Sequence, residues 1–361
     1  MNIVTNKFSS QFSTNFLIDS RETLLLTHSG GQDSTLLGIW LLLLQNQYNY
    51  YLLTVYCNHL WQISSISVLI HLKRLNFAHQ TTFISPSTFK TCLTENQARQ
   101  WRYSSLTRLA CFTSYKYSIV GHTQTDQIES FFLNLYRGTS PIGSITLKKE
   151  RMNFFNKFIC FTDKKCFINE NYKVSFKNNN KSNLSLTIIW RPLLYLNRFE
   201  IYHLLQILNL PLWTDQTNFK VKYRRNRIRY QLLPYLRFYF NPNLDLALTR
   251  YINTLIYTTN HLKKISRQIY KKKAFFKLGN SSRFYYYSEF KSYPDLYKKI
   301  ILNETLKELN LVQINTNQLD WILKLLILSQ NKKHNHGYQV LYIINGTMIG
   351  CFNYYIFIHK L

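Results

Sequence analysis

The sequence predicts an α/β fold, in which a parallel sheet carries helices on both faces and is followed by a mainly helical region that ends in a small β-hairpin. Between about Glu22 and His122, short runs typical of strands alternate with longer helical stretches, which is the pattern of βαβ units. Beyond Pro234 helical patterns dominate, and the Asn345-Gly346 pair between two apolar runs indicates a hairpin turn.

Four strands and three helices are predicted in the first part of the chain. The strands are TLLLTHS, YLLTVYCN, TTFIS and YSIVGH, and the helices cover Ser34–Gln45, Ser64–Leu75 and Glu95–Lys116. Because ligands bind at the carboxyl ends of parallel strands, the motifs at Ser29 and His122 are expected at one edge of the sheet. A later strand is predicted at LTIIWRPLL, with further helices over Arg198–Leu208, Leu244–Ile269, Asp295–Leu309 and Gln318–Leu328.

The length of 361 residues allows more than one domain. We predict an N-terminal extension over 1–22, an α/β domain over 23–240 and a mainly helical region over 241–361. Within the α/β domain, residues 148–183 are polar and basic, and they are predicted to form a long surface loop or insertion, with a hairpin inside it as the alternative. No run reaches the roughly 18 consecutive apolar residues of a membrane span. The first residues match neither a secretory signal nor a transit peptide, so we expect no membrane partner.

Charge is the strongest bulk property of the chain. Lys and Arg number 45 against 17 Asp and Glu, which gives a formal net charge of +28. Such an excess indicates a polyanionic partner, nucleic acid first and an anionic membrane surface second; a composition set by an AT-rich genome is the alternative. The six cysteines are scattered without a Cys-x-x-Cys pair. That spacing argues against a structural zinc site and a disulfide framework, and it fits a reducing compartment.

The stretch SGGQDST follows the first strand and opens a helix, where free backbone N–H groups attract anions. Gly30 and Gly31 would let the backbone approach phosphate oxygens, and Ser29 and Ser34 offer hydroxyl donors. Asp33 is a candidate ligand for the Mg²⁺ that accompanies a triphosphate. A Walker loop would end in Gly-Lys-Ser/Thr, which does not occur here. A plain strand-turn-helix connection is the alternative.

Acidic and basic side chains cluster in three further stretches. ENQARQWRY places Glu95, Arg99 and Arg102 on one helix face, although a solvated face would look the same. GHTQTDQIES projects Asp126 and Glu129 from one side of a helix start, where they could bind a metal or an amine or only complement the helix dipole. PLWTDQTNFKVKYRRNRIRYQLLP interleaves six cations with tyrosines, which suits an RNA backbone and stacked bases; a solvated basic helix is the alternative.

Taken together and in this order, these stretches resemble the tRNA(Ile)-lysidine synthetase family, a branch of the N-type ATP pyrophosphatases. The resemblance also includes NLYRGTSPIG and RPLL, and it covers about Leu24 to Pro234. It implies a Rossmann-like, adenine nucleotide alpha-hydrolase-like catalytic domain over 23–240 and a tRNA-binding region over 241–361. It also implies an enzyme that uses ATP to attach free L-lysine to C2 of the wobble cytidine in the CAU anticodon of tRNA(Ile), so that the tRNA reads AUA instead of AUG.

The resemblance further implies roles for individual residues. Arg102 matches an arginine beside the ATP phosphates, and His122 lines the same pocket. Asp126 and Glu129 match the acidic pair that receives the ammonium groups of lysine, and one of them is a sensible proton acceptor. Arg137 and the basic run contact tRNA phosphates or brace the site; the run comprises Lys220, Lys222, Arg224, Arg225, Arg227 and Arg229. The residues that hold the ATP phosphates and Mg²⁺ are Ser29, Gly30, Gly31, Gln32, Asp33 and Ser34.

The chain departs from the family pattern at several positions. Thr125 stands where many members have a second Asp before Asp126. Asn58 and Gln62 replace an acid and an arginine, although His59 is kept. Thr125 therefore removes one possible metal ligand, and the other two departures remove the support for a family role at positions 58 and 62.

Other functions remain open at this point. One is a tRNA thiolase or another ligase with the same loop. Sulfur transfer, however, normally needs cysteines, often as a Cys-x-x-Cys pair, and this sequence has no such pair. The other is a non-catalytic RNA-binding protein on the same fold. The cysteine usage fits a reducing compartment, and the GHTxxD and CNH variants resemble those of plastid and cyanobacterial family members. Together they favour a plastid stroma, with a bacterial cytoplasm as the alternative. The sequence does not fix the oligomeric state, and a homodimer is one of the states it allows.

Overall fold

We describe the fold from a computed structural model of the chain. The residues it describes are 22–58, 60, 65–78, 81–88, 95–113, 115–145, 147–156, 184–208, 221–273, 282–308, 316–330, 338–344, 347–352 and 355–360. They fall into two compact units: the first contains the described residues up to Arg137 and from Ser144 to Tyr251, and the second contains Gly138–Gly143 and the chain from Ile252 onward.

The first unit is built on a six-stranded sheet with the order β3-β2-β1-β4-β6-β5. All neighbouring strands are parallel except β5, which runs antiparallel to β6 at the edge. This arrangement confirms the predicted parallel sheet. The strands are β1 (Thr23–Thr27), β2 (Tyr51–Val55), β3 (Thr82–Ile84), β4 (Tyr117–Val120), β5 (Glu150–Asn156) and β6 (Leu184–Trp190).

Helices cover the sheet on both faces, as expected when successive residues of a buried strand point in opposite directions. Leu24 and Leu26 of β1 belong to a core cluster with residues of two helices, α1 (Gln32–Tyr48) and α6 (Arg198–Ile207). Leu25 belongs to a second cluster, which includes Leu106 of the helix α3. Three further helices belong to this unit: α2 (Ser65–Ala78), α3 (Glu95–Thr113) and α4 (Gln124–Tyr136). The short helix α5 (Pro141–Ser144) falls mostly in the second unit.

The predicted insertion over 148–183 begins with a strand. Glu150–Asn156 forms β5 and pairs antiparallel with β6 over seven residue pairs, so this part is the edge of the sheet. The antiparallel pair agrees with the hairpin alternative, although its second strand begins only at Leu184. Residues 157–183 lie outside the described residues.

A continuous helical segment follows in the first unit and changes its geometry along its length. It begins as α7 (Arg224–Arg227), continues as a π-helical turn over Ile228–Leu232 and ends as α8 (Leu233–Tyr239). Single π turns inside helices are uncommon and are frequent at functional sites. The next helix, α9 (Leu244–Lys273), contributes residues to both units.

The second unit contains helices and an antiparallel sheet. We predicted only a small hairpin at the end of the chain, and this prediction was incomplete: β8 and β9 do pair, but the sheet has four strands in the order β7-β10-β9-β8. Residues 345–346 of the predicted turn lie outside the described residues. The elements are α10 (Tyr287–Ser292), α11 (Asp295–Glu308), α12 (Thr316–Gln330), β7 (Ser282–Tyr286), β8 (Tyr338–Ile344), β9 (Thr347–Phe352) and β10 (Tyr355–Lys360).

Within the described ranges, no helix has both the length and the hydropathy that a bilayer crossing requires.

Candidate active site

The predicted phosphate loop connects β1 to α1 at the carboxyl edge of the sheet. Gly30 has a φ of 83°, a conformation that residues with a Cβ rarely adopt. Gly31 is the N-cap of α1 and offers no side chain to its first turn. The N-terminus of α1 therefore presents backbone N–H groups next to two glycines, which is the geometry of a phosphate site.

Side-chain hydrogen bonds hold this loop in shape. The Ser34 hydroxyl donates to the Gly31 carbonyl at 2.9 Å and accepts from the Ser29 backbone N–H at 3.2 Å. The Gly30 N–H donates to Nδ1 of His28 at 3.0 Å. Burial, followed by the charge of His71, lowers the pKa of His28 to about 4, so His28 is neutral near pH 7 and Nδ1 stays an acceptor.

Gly121 brings the end of β4 against the same loop. A Cβ at Gly121 would lie 3.1 Å from the backbone nitrogen of Ser34 and 3.2 Å from the carbonyl oxygen of Asp33. Only glycine allows this approach without moving the backbone. The contact joins the two motifs that the sequence analysis placed at one edge of the sheet.

Asp33 lies in the first turn of α1 and faces the neighbouring motif. Burial raises its pKa to about 6, and the charge of Asp126 adds to this effect, while Arg198 and the side chain of Gln32 oppose it. One carboxylate oxygen, Oδ2, is 3.4 Å from Nη2 of Arg198. The other, Oδ1, is buried and has no hydrogen-bond partner among the described residues.

Asp126 has a capping role that the sequence analysis did not identify. Thr123 is the N-cap of α4, and its backbone N–H donates to Oδ2 of Asp126 at 2.9 Å. In return, the Asp126 backbone N–H donates to the Thr123 hydroxyl at 3.3 Å. This capping box fixes the Asp126 side chain and leaves Oδ1 for other contacts. Glu129, one turn later, is fully buried.

Three arginines surround the two carboxylates of α4. Oδ1 of Asp126 receives Nη2 of Arg225 at 2.9 Å, Nη2 of Arg198 at 3.1 Å and Nη2 of Arg229 at 3.5 Å. Glu129 accepts from Nε of Arg225 at 2.7 Å and from Nε of Arg229 at 2.6 Å. Burial alone would raise the pKa of Asp126, but Arg225 and Arg198 outweigh it and hold this pKa well below its usual range.

Arg198 links the phosphate loop to these carboxylates, because its Nη2 lies near both Asp33 and Asp126. It was not among the predicted site residues. The signal in the sequence was a second capping box, in which Asn197 caps α6 and pairs with Glu200, so that Arg198 is placed at the helix start. Its Nε is buried and has no hydrogen-bond partner among the described residues.

His122 lies at the end of β4, and its Nδ1 accepts from Nε of Arg191 at 3.3 Å. Burial lowers the pKa of His122 to about 3; Arg191 and Arg225 add to this effect, and Asp126 opposes it. His122 is therefore neutral near pH 7. Arg191 is itself buried and donates to the Lys148 carbonyl at 2.8 Å.

Arg102 is on α3 and is exposed. Burial raises the pKa of the Cys57 thiol beyond β2 to about 11, and the charge of Arg102 opposes this effect. Burial also acts to raise the pKa of Tyr103, but nearby arginines, Arg99 before Arg102, lower it overall. Within the described ranges, Arg102 makes no hydrogen bond or ion pair with the phosphate loop. Of Glu95, on the same helix, only the backbone is described.

The basic run divides into two groups. Arg225 and Arg229 are four residues apart and turn towards the carboxylates. The others that are described point outward: Lys222, Arg224 and Arg227 are exposed, as is Arg137 at the end of α4. Lys220 lies outside the described residues. Arg225 and Arg229 therefore have the geometry of residues that brace the site. That the run contacts tRNA stays a prediction.

The departures from the family pattern also have positions in the fold. Asn58 is buried; its backbone N–H donates to the Pro86 carbonyl, and its Oδ1 accepts from the Leu60 N–H at 3.1 Å. Asn58 thus supports the chain beyond β2. Thr125 is buried in the first turn of α4. His59 and Gln62 lie outside the described residues.

Comparisons with known proteins add to this geometry. A family model described as a PP-loop domain matches residues 3–236. The chain is 33% identical over 262 residues to the chloroplastic tRNA(Ile)-lysidine synthase of Zygnema circumcarinatum, covering 70% of this chain and 61% of that protein. It is 31% identical over 281 residues to the chloroplastic tRNA(Ile)-lysidine synthase of Cyanidium caldarium, covering 76% and 78%. The chain spans less than two thirds of the length of several curated relatives that it matches.

A solved structure gives a likeness in fold. The U34-tRNA thiolase NcsA from Methanococcus maripaludis superposes with a TM-score of 0.50 and 14% sequence identity, over 70% of this chain and 79% of that one. At this identity the likeness concerns the fold alone.

Proposed function

Since the chain belongs to the tRNA(Ile)-lysidine synthase family of PP-loop proteins, we propose that it attaches free L-lysine to C2 of the wobble cytidine in the CAU anticodon of tRNA(Ile). The observation that carries the proposal is the junction at Arg198, which lies 3.4 Å from Asp33 and 3.1 Å from Asp126. Arg198 thus lies between the phosphate loop, which suits anions, and the carboxylates of α4, which suit a cationic amine. A ligase that joins an amine to an adenylated base needs both.

The phosphate loop binds ATP in this proposal. The N–H groups at the start of α1 and the hydroxyl groups of Ser29 and Ser34 face the phosphates, and the unpaired Nε of Arg198 is a further donor. Cytidine O2 attacks the α-phosphorus, a new P–O bond forms and pyrophosphate leaves. Donors already fixed in the loop stabilise the charge that develops on the phosphate without rearranging.

Lysine then replaces AMP. The ε-amine nitrogen attacks C2 of the cytidine, the C2–O2 bond breaks, and AMP leaves with that oxygen. The amine must lose a proton to attack, and Asp126, Glu129 and water are the acceptors in reach of an amine held at α4. Arg225 and Arg198 hold the pKa of Asp126 well below its usual range, which makes this carboxylate a weak base.

Asp126 and Glu129 already form ion pairs with arginine side chains. A lysine ammonium must therefore displace one of these guanidinium groups. Arg225 is the best candidate to give way, since its side chain is 32% exposed whereas that of Arg229 is 11% exposed. The ammonium would then meet Oδ1 of Asp126 and Oε2 of Glu129, the two oxygens that Arg225 bridges.

Mg²⁺ fits the donor set at Asp33. Oδ1 of Asp33 is a buried oxygen without a hydrogen bond from the described residues, and Mg²⁺ is commonly held by one or two carboxylates together with substrate phosphates. No group of three or more potential metal ligands occurs among the described residues. When bound, the ion neutralises charge on the phosphates.

The tRNA binds the outward-facing cations in this proposal. These are Arg137, Lys222, Arg224 and Arg227, with Lys220 expected beside them. The net charge of +28 supports a polyanionic partner. The likeness to chloroplastic relatives supports a plastid stroma as the location, with a bacterial cytoplasm as the alternative, and the state of assembly includes a homodimer as one option.

The test is incubation of the protein with a CAU-anticodon tRNA(Ile) transcript, ATP, Mg²⁺ and labelled lysine. We expect label on the tRNA that depends on ATP, together with one AMP released for each lysine attached. A transcript whose wobble cytidine is replaced by uridine is the matched control and should stay unlabelled. Absence of ATP-dependent label on the CAU transcript would refute the proposal.

A further inference from the structure

A second concave site lies in the first unit, between the end of α4 and the helical segment that starts at α7. Its volume is about 580 Å³, within the range of roughly 300–1,000 Å³ that ligand pockets occupy. We call it the Tyr136–Tyr235 pocket. Its lining includes Leu133, Tyr136, Arg137, Arg224, Leu232 and Tyr235.

The interior of this pocket is apolar and aromatic. Leu133, Ile228 and Leu232 are half-buried or buried side chains on its lining. Tyr136 and Tyr235 keep 65% and 54% of their surface exposed. Each ring packs against another aromatic ring: Tyr136 stacks on Phe132, and Tyr235 packs against Tyr239 with ring centroids 4.7 Å apart. Rings that are exposed but held in place are suited to stacking on a flat ligand.

The rim of the pocket is positive. Arg137, Arg224 and Arg227 line it, and none of the described lining residues is acidic. Arg137 and Arg224 form no ion pair with a described carboxylate, in contrast to Arg225 and Arg229 of the same run. A cation without a counterion beside an apolar surface favours a ligand that combines a negative group with a flat ring.

We propose that the Tyr136–Tyr235 pocket holds one unpaired nucleotide of the tRNA, distinct from the cytidine that is modified. The base lies on the apolar lining between the tyrosine rings, and its phosphate lies on Arg137 and Arg224. This inference rests on the proposed function, because it takes the tRNA as the polyanion that the chain binds. The modified base belongs at the carboxylates, which Arg225 and Arg229 contact, whereas Arg224 and Arg227 line the pocket.

The first experiment separates the ring from its hydroxyl group. Binding of a fluorescein-labelled RNA hairpin with a CAU loop is measured by anisotropy for Tyr235→Ala, Tyr235→Phe and Tyr202→Ala, the last being an exposed tyrosine on α6 outside the pocket. We expect Tyr235→Ala to weaken binding about tenfold, as the loss of one stacked base predicts. Tyr235→Phe and the Tyr202→Ala control should stay within about twofold of the wild type.

The second experiment separates phosphate from base. The affinity for the hairpin is measured against salt concentration for Arg224→Ala and for Arg74→Ala, an exposed arginine on α2. Each lost phosphate contact lowers the slope of log K against log salt by about 0.7 for a single strand. We expect this decrease for Arg224→Ala only, while Tyr235→Ala lowers the affinity without changing the slope.

These outcomes distinguish the pocket from the proposed function. If the wild type attaches no lysine but the Tyr235 and Arg224 variants bind the hairpin as predicted, the proposed function fails and the pocket stands. If lysine is attached and both variants bind like the wild type, the pocket proposal is overturned. It is also overturned if Tyr235→Ala keeps its hairpin affinity but converts a dimer to a monomer in light scattering, because a second copy would then be the occupant. Unchanged ATP affinity of the variants confirms that they are folded.

Discussion

The guanidinium of Arg229 holds the carboxylate of Glu129 through two bonds, Nε to Oε1 at 2.6 Å and Nη2 to Oε2 at 2.9 Å. Glu129 is fully buried, and Arg229 belongs to the π-helical turn. Paired charges of this kind need a partner on every oxygen, because an unpaired buried charge is costly. The pair therefore holds the helical segment against α4. It thereby also positions Arg225, which lies on the same segment and contacts both carboxylates.

Glu129→Gln is expected to destabilise the protein. The substitution removes the negative charge between Arg225 and Arg229 and leaves two guanidinium groups facing each other. Loss of one partner of a buried pair costs about 3–5 kcal/mol, and we expect the lower end because Asp126 still neutralises part of this charge. The free energy of unfolding in urea measures the effect.

A matched control and a double mutant test the cause. Asp320→Asn breaks an exposed pair with Lys299 and should cost less than about 1 kcal/mol. Glu129→Gln combined with Arg229→Gln should cost less than the sum of the two single changes, because the second substitution removes the charge that the first leaves unpaired. Strict additivity would mean that the pair contributes nothing to stability.

Asp126→Asn is expected to weaken lysine binding more than ATP binding. Asn keeps an oxygen for the capping box with Thr123, so the helix start is preserved while the charge is lost. We expect the KM for lysine to rise at least tenfold in the labelling assay and the affinity for ATP to change less than threefold. The opposite result, weaker ATP binding with an unchanged KM for lysine, would mean that Asp126 acts through Arg198 on the phosphate loop.

The sequence predicted the sheet and the one edge that carries both motifs because the information is local. Strand runs, the Gly30-Gly31 pair and the position of Asp126 at a helix start can each be read from a few neighbouring residues. The partners of Glu129 could not be read in this way, because Arg225 lies 96 residues further along the chain. Only the fold brings these side chains together.

The same limit applies outside the site. The strand β5 pairs with β6, which begins only at Leu184, so a hairpin was predicted there only as an alternative to a loop. The strand β7 pairs with β10 at the end of the chain, and no local pattern predicted that pairing. The pairing of β8 with β9 was predictable because the Asn345-Gly346 pair, a common hairpin signal, stands between the two apolar runs in the sequence.

Gly121→Ala is expected to damage ATP binding with little loss of fold. The new Cβ would lie within 3.2 Å of the backbone of Asp33 and Ser34, so the start of α1 must shift by a few tenths of an ångström. The backbone N–H groups that bind phosphate lie at the start of α1, so this shift moves them away from the phosphates. We expect the affinity for ATP, measured by calorimetry, to fall about tenfold. Gly143→Ala, where the nearest atom belongs to the Thr139 side chain, is the control. An unchanged ATP affinity in Gly121→Ala would show that the loop does not depend on this contact.

Asp33 is expected to make ATP binding depend on pH. Burial raises its pKa to about 6, and only the ionised carboxylate binds Mg²⁺, so the affinity for Mg²⁺–ATP should increase as the pH rises from about 5 to 7 and then level off. The terminal phosphate of ATP titrates in the same range, which makes the variant necessary. The difference between the wild type and Asp33→Asn isolates the carboxylate. Parallel pH profiles for the two proteins would assign the metal to another ligand.

Buried histidines are expected to make the fold less stable in mild acid. Burial lowers the pKa of His122 to about 3 and that of His28 to about 4, whereas both titrate near 6.5 in the unfolded chain. Between about pH 6.5 and 4 the unfolded state thus binds up to two more protons than the folded state, and the free energy of unfolding falls as the pH falls.

Asp33 has the opposite effect on the pH dependence of stability. Its pKa is raised to about 6 in the folded state and is about 4 in the unfolded state, so between these pH values only the folded state holds this proton. The net excess near pH 5 is therefore about one proton for these three groups. His122→Asn keeps an acceptor for Nε of Arg191 but does not titrate, so the dependence of the unfolding free energy on pH should decrease by nearly one proton. Urea unfolding at about pH 5 and pH 7 measures this slope for both proteins. If the slope did not change, His122 would have to take up its proton in the folded state, and its bond from Arg191 would then be lost at the same pH.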